Sequence, residues 1–212
     1  MKNFLIAMLL GVVCLATAIA AQAQTGPTPT PAQTETKAED ETNLETQLFL
    51  IVGSNQEVGD SKLPASLDQV VKQMRAALPF KSYRLVSTLI NRVKNNGRLQ
   101  LNWVGAPMTP AGALSSTPSF SHFNIREVRL VRSAEGQATI QMAGFSFGAR
   151  VPIQMNAVAA SGDVRPTTSY EQTGLGTDIS MHEGEPVIVG TLNVGPSGDA
   201  IILVVSARRT QK

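Results

Sequence analysis

One cysteine, one tryptophan and two histidines occur in 212 residues, and aromatic side chains make up only 5% of the chain. The cysteine, Cys14, lies inside the apolar run Phe4 to Ala20, which follows Lys2 and ends at the small-residue site Ala21-Gln22-Ala23. That order of charge, apolar run and small-x-small exit is the pattern of a secretory signal peptide, so residues 1–23 are expected to be cleaved and the protein to be periplasmic or extracellular. The run is short for spanning about 30 Å of hydrocarbon, so membrane attachment is expected only if the signal stays on as an anchor. Val13 is not the small residue that a lipoprotein cut needs before its cysteine, and Cys14 therefore leaves with the signal. The mature chain then has no disulfide framework, no cysteine-ligated metal and no thiol nucleophile.

The histidines are His122 and His182, and neither has a second histidine at ligand spacing, which argues against a metal site. No cofactor is expected. Acid is also missing over a long stretch. Between Asp68 and Glu127 there is no carboxylate, while Lys72, Arg75, Lys81, Arg84, Arg92, Lys94, Arg98 and Arg126 all carry positive charge. Residues 46–212 hold 16 Lys or Arg against 11 Asp or Glu, so a near-neutral total conceals a basic domain. Export argues against a nucleic-acid partner. If Lys72, Arg75, Arg84, Arg92, Lys94 and Arg98 share a surface, the expected partner is an anionic envelope component or an acidic protein. A charge run of this kind also serves simply as a solvated face.

What is present points to strands. Residues 24–44 repeat Thr and Pro, show no hydrophobic period and carry Glu35, Glu39, Asp40 and Glu41, the composition of a disordered spacer. Residues 45–212 are long enough for a single domain with a substantial core. Gln47 to Gly53 is a short apolar run suited to a buried strand. Leu67, Val70, Val71, Met74, Ala77 and Leu78 fall at helical spacing, with Ser66 or Asp68 placed to cap the helix and Pro79 to stop it.

Three hairpins are expected. Asn95-Asn96-Gly97 reads as a three-residue loop with glycine in the left-handed position, setting Val93 opposite Leu99 and Leu89 opposite Trp103. Ala134-Glu135-Gly136 closes a second, with Leu130 opposite Ile140 and Val128 opposite Met142. In this hairpin Phe123 and Ile125 lie on the other parity, which predicts a bulge near Glu127 or a strand shared between two sheets. Val187 to Val194 and Ala200 to Ala207 hold five and four β-branched residues and form the third, joined through Gly195 to Asp199. The fold class is mainly β (α+β): an antiparallel, hairpin-built sheet or sandwich with one packed helix.

Two motifs resemble catalytic signatures. Gly190 and Gly195 have phosphate-loop spacing, but Pro196-Ser197 and then a strand follow where Gly-Lys-Ser/Thr and a helix are required. Gly144-Phe145-Ser146-Phe147-Gly148 matches G-x-S-x-G, with Asp163 or Asp178 and then His182 downstream in hydrolase order. A nucleophile elbow needs a strand-to-helix turn, whereas Phe145, Phe147, Ala149, Val151, Ile153 and Met155 alternate as one buried strand face and leave Ser146 pointing outward. Two functions follow. One is a non-catalytic, exported cell-envelope domain that binds or scaffolds, with no catalytic residue; the other is an exported serine hydrolase using Ser146 and His182.

Met181 to Leu192, followed by an apolar strand to residue 205, resembles the late strand region of bacterial secretin outer-membrane channels, where an acidic-Gly turn precedes a valine-rich strand. Gly190-Thr191 stands where that pattern has paired glycines. The resemblance implies a bacterial envelope β-domain and does not imply a pore.

Overall fold

The computed structural model describes residues 42–56, 63–105, 108, 117–133, 136–158, 164–194 and 198–210. The expected signal peptide and nearly all of the expected spacer lie outside the described residues. Among the described residues eight strands form two antiparallel sheets. We number them β1 (Asn43–Ser54), β2 (Ser82–Lys94), β3 (Gly97–Gly105), β4 (Ser119–Arg132), β5 (Ala138–Val158), β6 (Val164–His182), β7 (Val187–Val194) and β8 (Asp199–Arg209). Sheet A has the order β2-β1-β8-β7 and sheet B the order β3-β4-β5-β6. β1 starts at Asn43 with Leu44 fully buried, so Asn43 and Leu44 belong to the strand rather than to the segment before it.

The central strands of sheet A are apolar without alternation because both of their faces are covered. Leu48, Leu50 and Val52 of β1 and Ile201, Leu203 and Val205 of β8 point toward sheet B, where they meet Phe123, Ile125, Phe145 and Phe147. Phe49, Ile51, Ile202 and Val204 point the other way, onto Leu67, Val70 and Met74. Each such side chain removed from water contributes roughly 1.5–3 kcal/mol before the entropy of ordering it.

The expected helix is present as α1 (Asp68–Ala77), entered through one 3-10 turn at Ala65–Leu67. Neither Ser66 nor Asp68 caps it with a side-chain hydrogen bond. The turn itself supplies the entry, with the Leu67 N–H donating to Pro64 O at 2.9 Å. Val70 and Met74 are buried as the spacing required, while Ala77 is exposed. Leu78 is already extended (φ −111°, ψ 144°), as the residue before a proline should be. The buried Tyr83 hydroxyl donates to Met74 O at 3.1 Å and ties the helix end to β2.

The β4–β5 and β7–β8 hairpins form as expected. Leu130 pairs with Ile140, Val128 with Met142 and Phe123 with Phe147, and Val194 pairs with Asp199. The first hairpin does not form. β2 pairs with β1 and β3 pairs with β4, so Asn95-Asn96 carries the chain from one sheet to the other. Val93 and Leu99 are apolar on one parity because both face the shared core, not because they are opposed across a ladder. The left-handed position falls on Asn96 (φ 59°), not on Gly97. The turn is stitched down by Asn96 N–H to Val128 O and Leu130 N–H to Asn95 Oδ1, each at 2.8 Å.

The change of face near Glu127 is a bulge, and it is matched by a second one. From Gly97 to Leu99, β3 advances two residues while β4 advances from Val128 to Ile125. Likewise β5 runs from Met142 to Phe145 while β6 runs only from Ile179 to Thr177. β4 and β5 keep a constant register with each other, so both change parity at the same level and their inward residues stay opposed.

Candidate binding surfaces

The hydrolase constellation is not assembled. Ser146 is half-buried on the outward side of β5, between Asn124 and Gly176, and a strand rather than a helix continues from it. His182 ends β6 opposite Thr139. Seven residues of β5 separate the two partner positions, a distance of about 23 Å at strand rise. Asp178 lies on β6 two residues from Gly176, the partner of Ser146, and four from His182, and it is engaged elsewhere. Its Oδ1 accepts the bulge amide of Gly144 at 2.6 Å, and Gly144 is left-handed (φ 62°). The G-x-S-x-G glycines therefore serve backbone geometry: Gly144 forms the bulge, and a side chain at Gly148 would collide with the His122 ring. Asp163 lies outside the described residues.

The phosphate-loop reading fails in a similar way. Gly190 sits in β7 at a register shift, where a Cβ would lie 2.9 Å from Leu175 Cδ2 of the opposite sheet. Its missing side chain allows two sheet edges to approach. Residues 195–197 lie outside the described residues. Among the described residues no group of three His, Cys, Asp or Glu is placed to hold a metal ion.

The basic residues divide between surfaces. Lys72 and Arg75 are exposed on α1, one helical turn apart. Arg92 and Lys94 are exposed near the end of β2, and Arg92 pairs with Glu45 on the helix-bearing side of sheet A. Arg84 is half-buried and pairs with Val52, so it turns toward sheet B, about 26 Å along the strand from Arg92. Arg98 is exposed between the inward Gly97 and Leu99 and faces away from the sandwich on the far side of sheet B. The helix-bearing side thus collects Lys72, Arg75, Arg92 and Lys94, while Arg84 and Arg98 lie elsewhere.

That side also holds Arg208, which bonds Glu45 Oε1 at 2.8 Å beside a cleft lined by Gln47, Ser66, Leu67 and Ser206. The Arg208 hydrogen bond, with help from Gln47, holds the Glu45 carboxyl below its ordinary range against the effect of burial. At the edge of the same sheet, Glu183 is lowered chiefly by its hydrogen bond from the Arg209 side chain.

A third surface went unread in the sequence. On the outward face of sheet B, Val104 and Phe120 are opposed, Phe120 pairs with Arg150, and Arg150 with Gln172. Val104 is 62% and Phe120 42% exposed, unusual for side chains of this kind. The rings of Phe120 and Tyr170 are 5.7 Å apart, and the Arg150 guanidinium lies 5.6 Å from the Tyr170 ring centre. The next row, Asn102, His122, Gly148 and Gly174, is low, and shallow depressions open on both sides of His122. The sequence signal was present: Val104, Phe120 and Tyr170 fall on the parity opposite to Trp103, Phe123 and Leu175, the core-facing residues of their own strands.

No protein-family model matches this chain, and no curated protein matches it. Solved bacterial secretins do resemble it. The InvG secretin of the Salmonella SPI-1 type III secretion injectisome aligns at 11% identity over 81% of this chain and 65% of that one, with a TM-score of 0.31. The open-gate form of InvG gives 11% identity, 81% and 61% coverage and a TM-score of 0.35. The Type IV competence pilus secretin PilQ of V. cholerae gives 11% identity, 81% and 59% coverage and a TM-score of 0.34. The chain spans less than two thirds of the length of each of these solved chains.

Proposed function

We propose that the protein is a non-catalytic, exported domain of the cell envelope that binds or scaffolds through its open surfaces, using the helix-bearing side of sheet A for an anionic envelope component or an acidic protein. The observation that carries this reading is that Lys72, Arg75, Arg92 and Lys94 are all exposed on the helix-bearing side of sheet A. Glu45 is the carboxylate paired across from Arg92, and Arg208 already occupies it. The wide separation of Ser146 and His182 supports the non-catalytic part.

Exposed charges of this kind act over about 8 Å at physiological ionic strength, so binding weakens as salt rises. Retention of the domain on phosphatidylglycerol vesicles and on peptidoglycan is the measurement. Retention at low salt that is lost at high salt, and lost in Lys72→Glu/Arg92→Glu/Lys94→Glu, is the expected result. Unchanged retention in that variant, or none at any salt, removes the basic surface from the function. Fluorophosphonate labelling abolished by Ser146→Ala would instead favour the hydrolase.

A further inference from the structure

The outward face of sheet B combines features that the helix-bearing side lacks. Its exposed apolar surface, Val104, Phe120 and Tyr170, stands beside a low row that crosses all four strands. At the usual spacing between strands that row is about 14 Å long. Two of its four positions are glycine, and the His122 ring lies across one of them. A side chain at Gly174 would come within 2.8 Å of Phe147 O, so the floor cannot be raised without moving backbone. Tyr170 is fixed from its far end, its hydroxyl donating to Pro118 O at 3.2 Å.

The polar groups indicate what fits there. Asn102, Gln172, Asn124 and Ser146 supply neutral donors and acceptors around the low row, and among the described residues Arg150 is the one cation that borders it. Among the described residues no carboxylate pairs with Arg150; its guanidinium rests on the Tyr170 ring. Aromatic faces next to amides suit a ligand with an apolar ring face and a hydroxyl-bearing rim. An unpaired guanidinium suits a carboxylate, which it can grip with two hydrogen bonds. An extended peptide would add to a strand edge, where backbone groups are open, whereas this trough crosses strands whose backbone is already paired. A lipid surface would call for several clustered cations, and the trough has one at its border.

We propose that this trough binds a linear polysaccharide carrying carboxylate groups, with a sugar ring packed on Phe120 and Tyr170, its carboxylate on Arg150 and its hydroxyls on Asn102, His122 and Gln172. The site lies on the opposite side of the sandwich from the basic surface proposed above, and each can fail without the other.

Affinity electrophoresis of the whole domain tests it, with polygalacturonate as the anionic glycan, dextran as a neutral one, and flotation with phosphatidylglycerol vesicles alongside. Retardation by polygalacturonate is expected to weaken about tenfold in Tyr170→Ala and in Phe120→Ala, one stacking contact being lost in each. Arg150→Gln should reduce retardation by polygalacturonate and leave any retardation by dextran unchanged. Tyr170→Trp, which keeps a ring face, should retain binding. The basic side attracts any polyanion, so the trough substitutions are also made in the Lys72→Glu/Arg92→Glu/Lys94→Glu background, where Tyr170→Ala should still weaken retardation by polygalacturonate about tenfold. The substituted trough residues are all exposed, and an unchanged circular dichroism spectrum establishes that the variants fold. No retardation by polygalacturonate, retardation of the Tyr170→Ala and Phe120→Ala variants equal to that of the parent, or vesicle binding that depends on Tyr170 and Arg150 would each overturn the proposal.

Discussion

Asn95 is a turn residue, yet it is only 6% exposed. Its backbone N–H donates to Thr42 O and its Oδ1 accepts from Leu130 N–H, so one residue joins the chain just before β1, the turn and β4. Asn95→Ala removes an acceptor and leaves the buried Leu130 N–H without it. The expected cost is about 1–3 kcal/mol, read as a lower urea midpoint with an unchanged slope. The turn was legible in the sequence, but its role was not. Asn-Asn-Gly signals left-handed backbone at either its asparagine or its glycine, and the choice depends on contacts with β4 that local sequence does not encode. Hydrophobic parity misled in the same place, because residues facing a common core from two sheets have the same pattern as residues facing each other across a ladder.

At the level of elements, the paired bulges explain a break in pattern that the sequence did reveal. Phe123 and Ile125 against Val128 and Leu130 can all face inward only if β4 gains a residue between them, and the same holds for Met142 and Phe145 in β5. Gly144 makes this possible with its positive φ, and a Cβ there would lie 3.0 Å from Arg126 Cβ. Gly144→Val is expected to destabilise the domain by roughly 2 kcal/mol, from left-handed strain together with crowding against Arg126. Thermal unfolding of the variant measures this, and an unaltered Tm would remove the bulge from the account. β6 was not legible. Its inward residues are few (Leu175, Ile179 and Met181 among those described), and glycine, threonine and serine fill an edge that no neighbouring strand covers. The helix was read correctly from its periodicity, while its caps were not, because a 3-10 turn can replace them.

For the molecule as a whole, the sandwich with one packed helix follows from turn chemistry and alternation, whereas its layering required knowing that β8 is covered on both faces. Candidate sites were less legible. The basic run was visible as composition, but three-dimensional folding placed Arg84 and Arg98 away from the other four. The trough on sheet B joins residues from four strands and has no linear signature. The two ion pairs at the end of β8 give the fold an acid limit. Glu45 and Glu183 are held below the ordinary value of 4.5, by Arg208 and by Arg209 respectively. A depressed carboxyl contributes stability that is complete above its unfolded-state value and is lost as pH falls through the folded-state value. Tm should therefore decline on acidification below about pH 4.5. Glu45→Gln/Glu183→Gln should flatten that decline while lowering Tm at neutral pH, and an equally steep acid limb in the variant would assign the loss to other groups.

The pairing of β1 with β8 has a consequence in time. Glu45 and Arg208 are 163 residues apart in sequence, yet they lie side by side at one end of the two central strands of sheet A. The strands of sheet B are consecutive in the chain and can pair as the chain emerges. Sheet A has to wait for its last strand, with β1 and β7 held without the neighbour that joins them. Until β8 arrives, the inner faces of both sheets are wet and β1 has an open edge. Loop closure over that separation precedes any reward from burial, so completion of the core is the slow event in folding, and the chain is at its most aggregation-prone while β8 is still unpaired.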